Sequence, residues 1–187
     1  MTRIIAGEAR GRRIATPPGR GTRPTADRVR EALFSAVGAA AGSLQGLRFL
    51  DLYAGSGAVG LEARSRGAGA VTLVEQDRRA AAVIRRNAAG LGFPEVEVRV
   101  AATLRALRTP PPTPYDVVFL DPPYDLPDDD VTAVLASLHD HGWLAAGALV
   151  VVERSARGGP PVWPAGVEAD RGRTYGETVL WYGRATA

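Results

Sequence analysis

The residues with the clearest chemical potential are Asp121-Pro122-Pro123-Tyr124, which follow the apolar run VVFL. Two consecutive prolines have no backbone N–H to donate and hold a loop stiffly, which leaves the Asp121 carboxylate and the Pro122 carbonyl as acceptors. An exocyclic amine has two N–H donors, so this pair of acceptors matches it, and Tyr124 adds a flat face on which a base can stack. The motif predicts a catalytic site for a nucleobase amine; an ordinary Asp-Pro-Pro turn is the alternative.

A second group of candidate residues is the glycine-rich run DLYAGSGAVG, from Asp51 to Gly60. Glycines at a strand-to-helix turn let backbone amides approach a ligand closely, and the N-terminus of the following helix favours its electron-rich groups. The next apolar run ends in Glu75, 24 residues beyond Asp51, where a carboxylate can accept hydrogen bonds from both hydroxyls of a ribose. Together these residues predict a site for an adenosine-containing cofactor; glycines used for packing and a surface Glu75 are the alternative.

The elements that must position these residues alternate between apolar strands and helices from residue 47 onward. Strands are predicted at residues 48–53, 71–75, 96–100, 117–121 and 148–153, and helices near 57–66, 77–90, 102–107 and 129–138. This alternation requires a mostly parallel sheet with helices on both faces and ligands at the carboxyl ends of its strands. Two further strands, at 166–169 and 178–182, would complete a seven-stranded sheet through a turn that contains Tyr175 and Gly176. The fold class is therefore α/β, with dehydrogenases and methyltransferases both still possible.

The N-terminal segment differs from the rest of the chain in its charge. Residues 1–30 hold eight arginines against Glu8 and Asp27, a balance of +6, whereas the whole chain carries +3. Such a basic extension is typical of a protein that contacts a polyanion, because arginines displace counterions from phosphates. Ile4, Ile5 and Ile14 indicate that the segment is partly packed, as a hairpin about Gly11. A helix is expected from Thr25, with an apolar stripe formed by Val29, Leu33, Phe34 and Val37.

Taken together, these motifs resemble the RsmD-type family of bacterial 16S rRNA guanine-N2 methyltransferases, within the Rossmann-like class I methyltransferases. The segments that carry the resemblance span nearly the whole chain: RIIAGEARGRRI (3–14), RPTADRVREALF (23–34), LDLYAGSGAVGLEARSRGA (50–68), VEQD (74–77), Asn87, FLDPPY (119–124) and YGET (175–178). The resemblance implies an S-adenosyl-L-methionine cofactor and 16S rRNA as the partner, free or within the small ribosomal subunit. A cytoplasmic monomer is expected.

The resemblance also implies roles for individual residues and a division of the chain. Residues 1–24 would be a basic, RNA-contacting extension and residues 25–187 the methyltransferase domain. The cofactor would be bound by Asp51, Tyr53, Ala54, Gly55, Ser56, Gly57, Glu75, Gln76 and Thr103, and RNA by Arg3, Arg10, Arg12, Arg13 and Arg23. Where such enzymes commonly present an acidic residue to the adenine amine, this chain reads Ala101-Ala102-Thr103. Thr103 or backbone groups would make that contact instead.

Several other classes of function are disfavoured by the composition. The chain has no cysteine, and its only histidines, His139 and His141, are more typical of a helix end than of a metal site, so no metal is expected. No stretch approaches the roughly 18 consecutive apolar residues that a membrane span needs. Three alternatives stay open: a DNA adenine-N6 methyltransferase, which shares the DPPY motif, a methyltransferase of protein glutamine, and a non-catalytic RNA-binding or assembly module on the same fold.

Overall fold

The computed structural model describes residues 1–18 and 27–186, which form one seven-stranded sheet flanked by helices and a small N-terminal hairpin. The strands are β1 (Thr2–Arg3), β2 (Arg13–Ile14), β3 (Arg48–Leu52), β4 (Ala70–Glu75), β5 (Glu97–Val100), β6 (Tyr115–Leu120), β7 (Leu144–Ser155), β8 (Val167–Tyr175) and β9 (Thr178–Ala185). The helices are α1 (Asp27–Ala41), α2 (Ala58–Ser65), α3 (Arg78–Leu91), α4 (Thr103–Leu107) and α5 (Asp128–Asp140).

The order of strands across the sheet is β5-β4-β3-β6-β7-β9-β8. The first five are parallel, whereas β9 runs antiparallel to both of its neighbours, β7 and β8. The predicted mostly parallel sheet with a terminal hairpin is therefore confirmed. The turn of that hairpin lies at residues 176–177, because Tyr175 pairs with Thr178.

Both faces of the sheet are covered by apolar side chains, as a doubly wound fold requires. Helices α1, α2 and α3 contribute to the core on one face, together with Phe49, Phe119 and Val151 of the sheet. Helices α4 and α5 contribute to the other core, which includes Trp143. The stripe of α1 faces inward as predicted, since its four apolar residues are all buried: Val29, Leu33, Phe34 and Val37.

Some predicted boundaries were wrong. Strand β6 ends at Leu120, so Asp121 begins a loop, and Tyr53 lies just beyond β3. Strand β7 begins at Leu144, earlier than expected, and its register with β6 shifts between Tyr115 and Val117. The predicted strand at 166–169 is much longer, Val167–Tyr175, because this edge strand is mostly polar and exposed and so lacks an apolar pattern. The expected helix start at Thr25 lies outside the described residues.

Candidate active site

A cleft of about 780 Å³ opens at the carboxyl ends of the parallel strands. Both motifs that the sequence singled out line it: the glycine turn after β3 and the DPPY loop after β6. Predicted site residues in the lining are Asp51, Tyr53, Ala54, Gly55, Ser56, Glu75, Gln76, Thr103, Asp121, Pro122, Pro123 and Tyr124. The lining also contains residues to which the sequence analysis gave no role in the site: Thr2, Thr16, Pro17, Pro18, Asp77, Asp125 and Glu153.

The glycine turn brings backbone amides to the edge of the cleft. Tyr53 has a φ of 61°, which is costly for a residue with a side chain and is typical of functional turns. Gly55, with a φ of 58°, has open space where a Cβ would stand, so a ligand can approach its backbone closely. Gly57 is buried and is not among the residues that line the cleft, and a Cβ there would contact Ile84 and Leu73. Its contact with the cofactor stays a prediction.

Glu75 is held in a fixed position by two backbone amides. Gly55 N–H donates to its Oε2 at 2.9 Å, and Asp77 N–H donates to its Oε1 at 2.8 Å. Each carboxylate oxygen has further lone pairs, so the pair can still accept hydrogen bonds from a diol. Asp77 in turn caps α3 by accepting from Arg79 N–H and Ala80 N–H. Asp77 of the VEQD motif thus has two roles: its side chain caps α3 and its backbone N–H orients Glu75.

Asp51 is buried beneath the glycine turn and accepts a hydrogen bond from Gly60 N–H at 2.8 Å. Burial raises the pKa of Asp51 to about 8; the Gly60 hydrogen bond opposes this shift, and the negative charges of Asp121 and Glu75 add to it. Burial therefore favours the protonated form of the Asp51 carboxyl group. A cation that enters the cleft would favour its ionisation.

This shift predicts a specific dependence of stability on pH. An unfolded Asp51 ionises near pH 4, whereas the folded one must stay protonated or bear a buried charge. Its contribution to the free energy of unfolding therefore falls as pH rises from about 4 to about 8, by at most about 1.4 kcal/mol per unit. Urea unfolding should show Asp51→Asn gaining stability over the wild type between pH 5 and pH 8. If the free energies of unfolding of the two proteins differed by the same amount at pH 5 and at pH 8, the raised pKa of Asp51 would be contradicted.

The DPPY loop leaves β6 with its first residue still bonded to the sheet, because Asp121 N–H donates to Leu52 O at 3.3 Å. The Tyr124 hydroxyl lies 2.8 Å from Thr178 Oγ1, at the start of β9. Thr178 belongs to the YGET segment, so this contact joins two motifs that lie 54 residues apart in the sequence. Tyr124 is half-buried and lines both the cleft and a neighbouring cavity of about 440 Å³. It is therefore accessible to a base.

Arg154, which the sequence gave no reason to select, supports the DPPY loop from β7. Its side chain is only 10% exposed, and its guanidinium donates to Pro123 O at 3.2 Å and to Leu126 O at 2.9 Å. The same group pairs with Asp128 at 2.9 Å, at the start of α5. Because the planar guanidinium donates in several fixed directions at once, one side chain joins both ends of the loop.

The N-terminal segment packs on the body of the protein. Ile5 N–H and Ala6 N–H donate to the buried Glu62 carboxylate at 2.7 and 2.9 Å. Asn87 of α3 pairs with both backbone groups of Ala15 and donates to Ser56 O, which joins the segment to the glycine turn. The segment therefore places residues 16–18 at the cleft.

The predicted RNA-contacting arginines have different surroundings in the structure. Arg3 pairs with Asp27 at 3.3 Å, and Arg12 donates to Gly90 O and Leu91 O. Arg10 and Arg13 are exposed, and within residues 1–18 and 27–186 neither forms an ion pair. Arg23 lies outside the described residues. Arg12 thus attaches the segment to α3, while Arg10 and Arg13 present their charge to solvent.

The charge of the cleft can be compared with that of the expected cofactor. Six acidic residues line it: Asp51, Glu75, Asp77, Asp121, Asp125 and Glu153; none of the described lining residues is basic. S-adenosylmethionine carries positive charge on its sulfonium and ammonium groups, which such a lining would stabilise. The acidic lining of the cleft therefore fits S-adenosylmethionine. In the described parts of the chain, no cluster of three or more acidic or histidine side chains suits a metal ion.

Comparison with known proteins identifies the family. The profile of the family described as conserved hypothetical protein 95 matches residues 2–184 of this chain. The chain belongs to this family. A relative, ribosomal RNA small subunit methyltransferase D of Escherichia coli strain K12, is 39% identical over 177 residues, which cover 95% of this chain and 86% of that protein. The resemblance to RsmD-type methyltransferases is confirmed.

Solved structures agree with this family assignment. The structure of yhhF from Escherichia coli matches with a TM-score of 0.86 and 37% identity, and the alignment covers 100% of this chain and 98% of that one. The more distant SMU.776, solved in complex with SAH, matches with a TM-score of 0.66 and 14% identity over 84% of this chain and 48% of its own. That likeness shows the fold alone. The Rossmann-like methyltransferase fold is therefore confirmed, and no helix within the described residues is long and apolar enough to cross a membrane.

Proposed function

We propose that this protein transfers a methyl group from S-adenosylmethionine to the exocyclic N2 of a guanine in 16S small-subunit ribosomal RNA. The observation that carries the proposal is the single cleft lined by both the glycine turn and the DPPY loop. The Escherichia coli relative, whose name refers to small-subunit ribosomal RNA, supports the choice of substrate. Methylation of DNA adenine, methylation of protein glutamine and a non-catalytic role have no comparable support.

In this proposal the two ends of the cleft hold the two reactants. Glu75 would accept the ribose hydroxyls, and Asp51, Gly55 and neighbouring backbone groups would surround the methionine end. When bound, S-adenosylmethionine supplies a methyl group on a positively charged sulfur, which keeps the electron pair of the broken carbon–sulfur bond. Tyr124 would stack on the target base, which must leave its helix or stacked loop at a cost of a few kcal/mol.

The chemistry at the amine would depend on two acceptors. The Asp121 carboxylate and the Pro122 carbonyl would accept its two N–H groups and draw the nitrogen lone pair out of conjugation. As nitrogen forms its bond to the methyl carbon it becomes positive, and the carboxylate stabilises this charge. One N2 proton then leaves through Asp121 to solvent. Because the nitrogen becomes acidic only during transfer, catalysis rests on positioning and electrostatics rather than on a strong base.

The direct test combines the purified protein with methyl-labelled S-adenosylmethionine and 16S rRNA, free or in small subunits, from cells lacking the protein. Nucleoside analysis should detect labelled N2-methylguanosine at one position. Cells that retain the protein should have that position already methylated, so their rRNA is the matched control. Label in another nucleoside, or only in added DNA or protein, would contradict the proposal.

Arg154 should affect the chemical step through the DPPY loop. We expect Arg154→Ala to lower kcat about tenfold, since the loop loses hydrogen bonds worth about 1 kcal/mol each, and to change the KM for S-adenosylmethionine little. Arg154→Lys should keep only part of the wild-type kcat, because an ammonium group lacks the planar array of N–H donors of a guanidinium. A rise in KM for the cofactor with unchanged kcat would show that the loop is positioned by other contacts.

The exposed arginines of the N-terminal segment are proposed to meet RNA, within an extension that we assign to residues 1–24. Deletion is a poor test because Ile4 and Ile14 are buried in the core. We expect Arg10→Gln with Arg13→Gln to weaken rRNA binding and to reduce the slope of log affinity against log salt by about one per lost phosphate contact. The matched control is Arg105→Gln with Arg108→Gln at α4, on the other face of the sheet. An unchanged slope would remove these arginines from the interface.

A further inference from the structure

Glu153, at the carboxyl end of β7, is a buried acid that the sequence analysis did not select. Only 6% of its surface is exposed, and it lines the same cleft as Asp121 and Tyr124. A carboxylate in such a place is costly to desolvate, so it is usually retained for a hydrogen bond or charge interaction. Its position in the sheet indicates which part of a substrate it would meet.

The register of the central strands places Glu153 beside Asp121. Leu120 of β6 pairs with Val152 of β7 in parallel register, so the residues that follow this pair are Asp121 and Glu153. Adjacent strands lie about 4.8 Å apart, and residues in register point to the same face of a sheet. Extended by one residue beyond the end of β6, this register brings the two carboxyl groups next to each other at the end of the cleft that holds the DPPY loop.

Two adjacent acceptors suit guanine better than adenine. Guanine presents the N2 amine and N1–H as neighbouring donors, whereas the N1 of adenine is an acceptor. We propose that Glu153 accepts the N1–H of the target guanine while Asp121 and Pro122 hold the N2 amine. This inference rests on the proposed function, and it makes Glu153 a residue that sets base specificity. The lone pairs of a carboxylate and of an unprotonated N1 repel each other, so a base with an unprotonated N1, such as adenine, is disfavoured.

The test uses 2-aminopurine, which keeps the reactive amine but has an unprotonated N1. The methylated position in small-subunit rRNA is built with either guanine or 2-aminopurine by ligation of synthetic RNA, and kcat/KM is measured for each. We expect the wild type to prefer guanine by about 10- to 100-fold, the effect of one hydrogen bond to a charged group. Glu153→Gln should lose most of this preference, because its amide N–H can donate to an unprotonated N1.

Two measurements separate a specificity role from damage to the fold. Glu153→Gln should bind S-adenosylmethionine in calorimetry as the wild type does, and Glu168→Gln, an exposed carboxylate on β8, should keep the wild-type preference. Equal rates on both bases for the wild type, or an unchanged preference in Glu153→Gln, would overturn this inference while leaving guanine methylation intact. Failure of the wild type to methylate guanine at all would overturn the proposed function itself, and this inference with it.

Discussion

Replacing Asp121 with alanine should lower kcat by at least about 100- to 1000-fold, the range seen when one preorganised electrostatic contact to a transition state is removed. The reason is that alanine removes both an acceptor for the amine and the negative charge that stabilises the developing cation. Glu75 and the glycine turn are untouched by this change, so binding of S-adenosylmethionine should persist. Single-turnover methylation of rRNA and calorimetry with the cofactor measure the two effects separately.

Two further variants make the Asp121 prediction specific. Asp121→Asn keeps one oxygen acceptor but loses the charge, so its rate should lie between those of the wild type and the alanine variant. Asp140→Ala, which removes an exposed carboxylate at the end of α5, should leave turnover unchanged. Near-normal methylation by Asp121→Ala would refute the role of this carboxylate, and loss of cofactor binding would assign it to the cofactor site instead.

Replacing Tyr124 with alanine should slow methyl transfer by about 10- to 100-fold. Stacking of a base on an aromatic side chain contributes about 1 to 3 kcal/mol, and this ring lies partly exposed at the cleft. The rate at saturating cofactor, measured on rRNA, reports this loss. An unchanged rate would argue that the base is held by other groups.

The hydroxyl of Tyr124 can be tested separately from its ring. Tyr124→Phe keeps the stacking surface and removes only the 2.8 Å contact with Thr178, so we expect about a fivefold loss, equivalent to a hydrogen bond of about 1 kcal/mol. Thr178→Val should cause a similar loss, and the double variant should lose little more than either single one. Full additivity of the two losses would show that the contact does not orient the ring.

The architecture could be predicted from the sequence because its signals are local. Buried parallel strands such as β3 and β4 are short apolar runs, and glycines and helix caps mark where each ends. Ligand sites of such sheets lie at the carboxyl ends of the strands, so the order of the motifs predicted a shared cleft, which the structure contains. The predicted strand at 166–169 is shorter than β8 because its signal is not local: a polar edge strand is specified by its pairing with β9.

The residues that support the site could not be predicted because their roles depend on contacts between distant segments. Arg154 and Glu153 occur in an otherwise apolar strand, and nothing in that run shows that one faces the DPPY loop and the other the cleft. The prediction that Arg12 contacts RNA rests on its charge, which is visible in the sequence, whereas its hydrogen bonds to residues 90–91 are not. That RNA contact stays a prediction. The sequence alone gives the YGET motif no role, because only the fold brings Thr178 beside Tyr124.

The most direct test of the account is a crystal structure of the protein with S-adenosylhomocysteine bound. We expect the ribose hydroxyls on Glu75, the homocysteine end near Asp51 and Gly55, and the sulfur facing Asp121 and the Pro122 carbonyl across the shared cleft. A structure with the sulfur turned away from the DPPY loop, or with the ligand bound outside this cleft, would contradict the central claim that cofactor and target amine meet in one cleft.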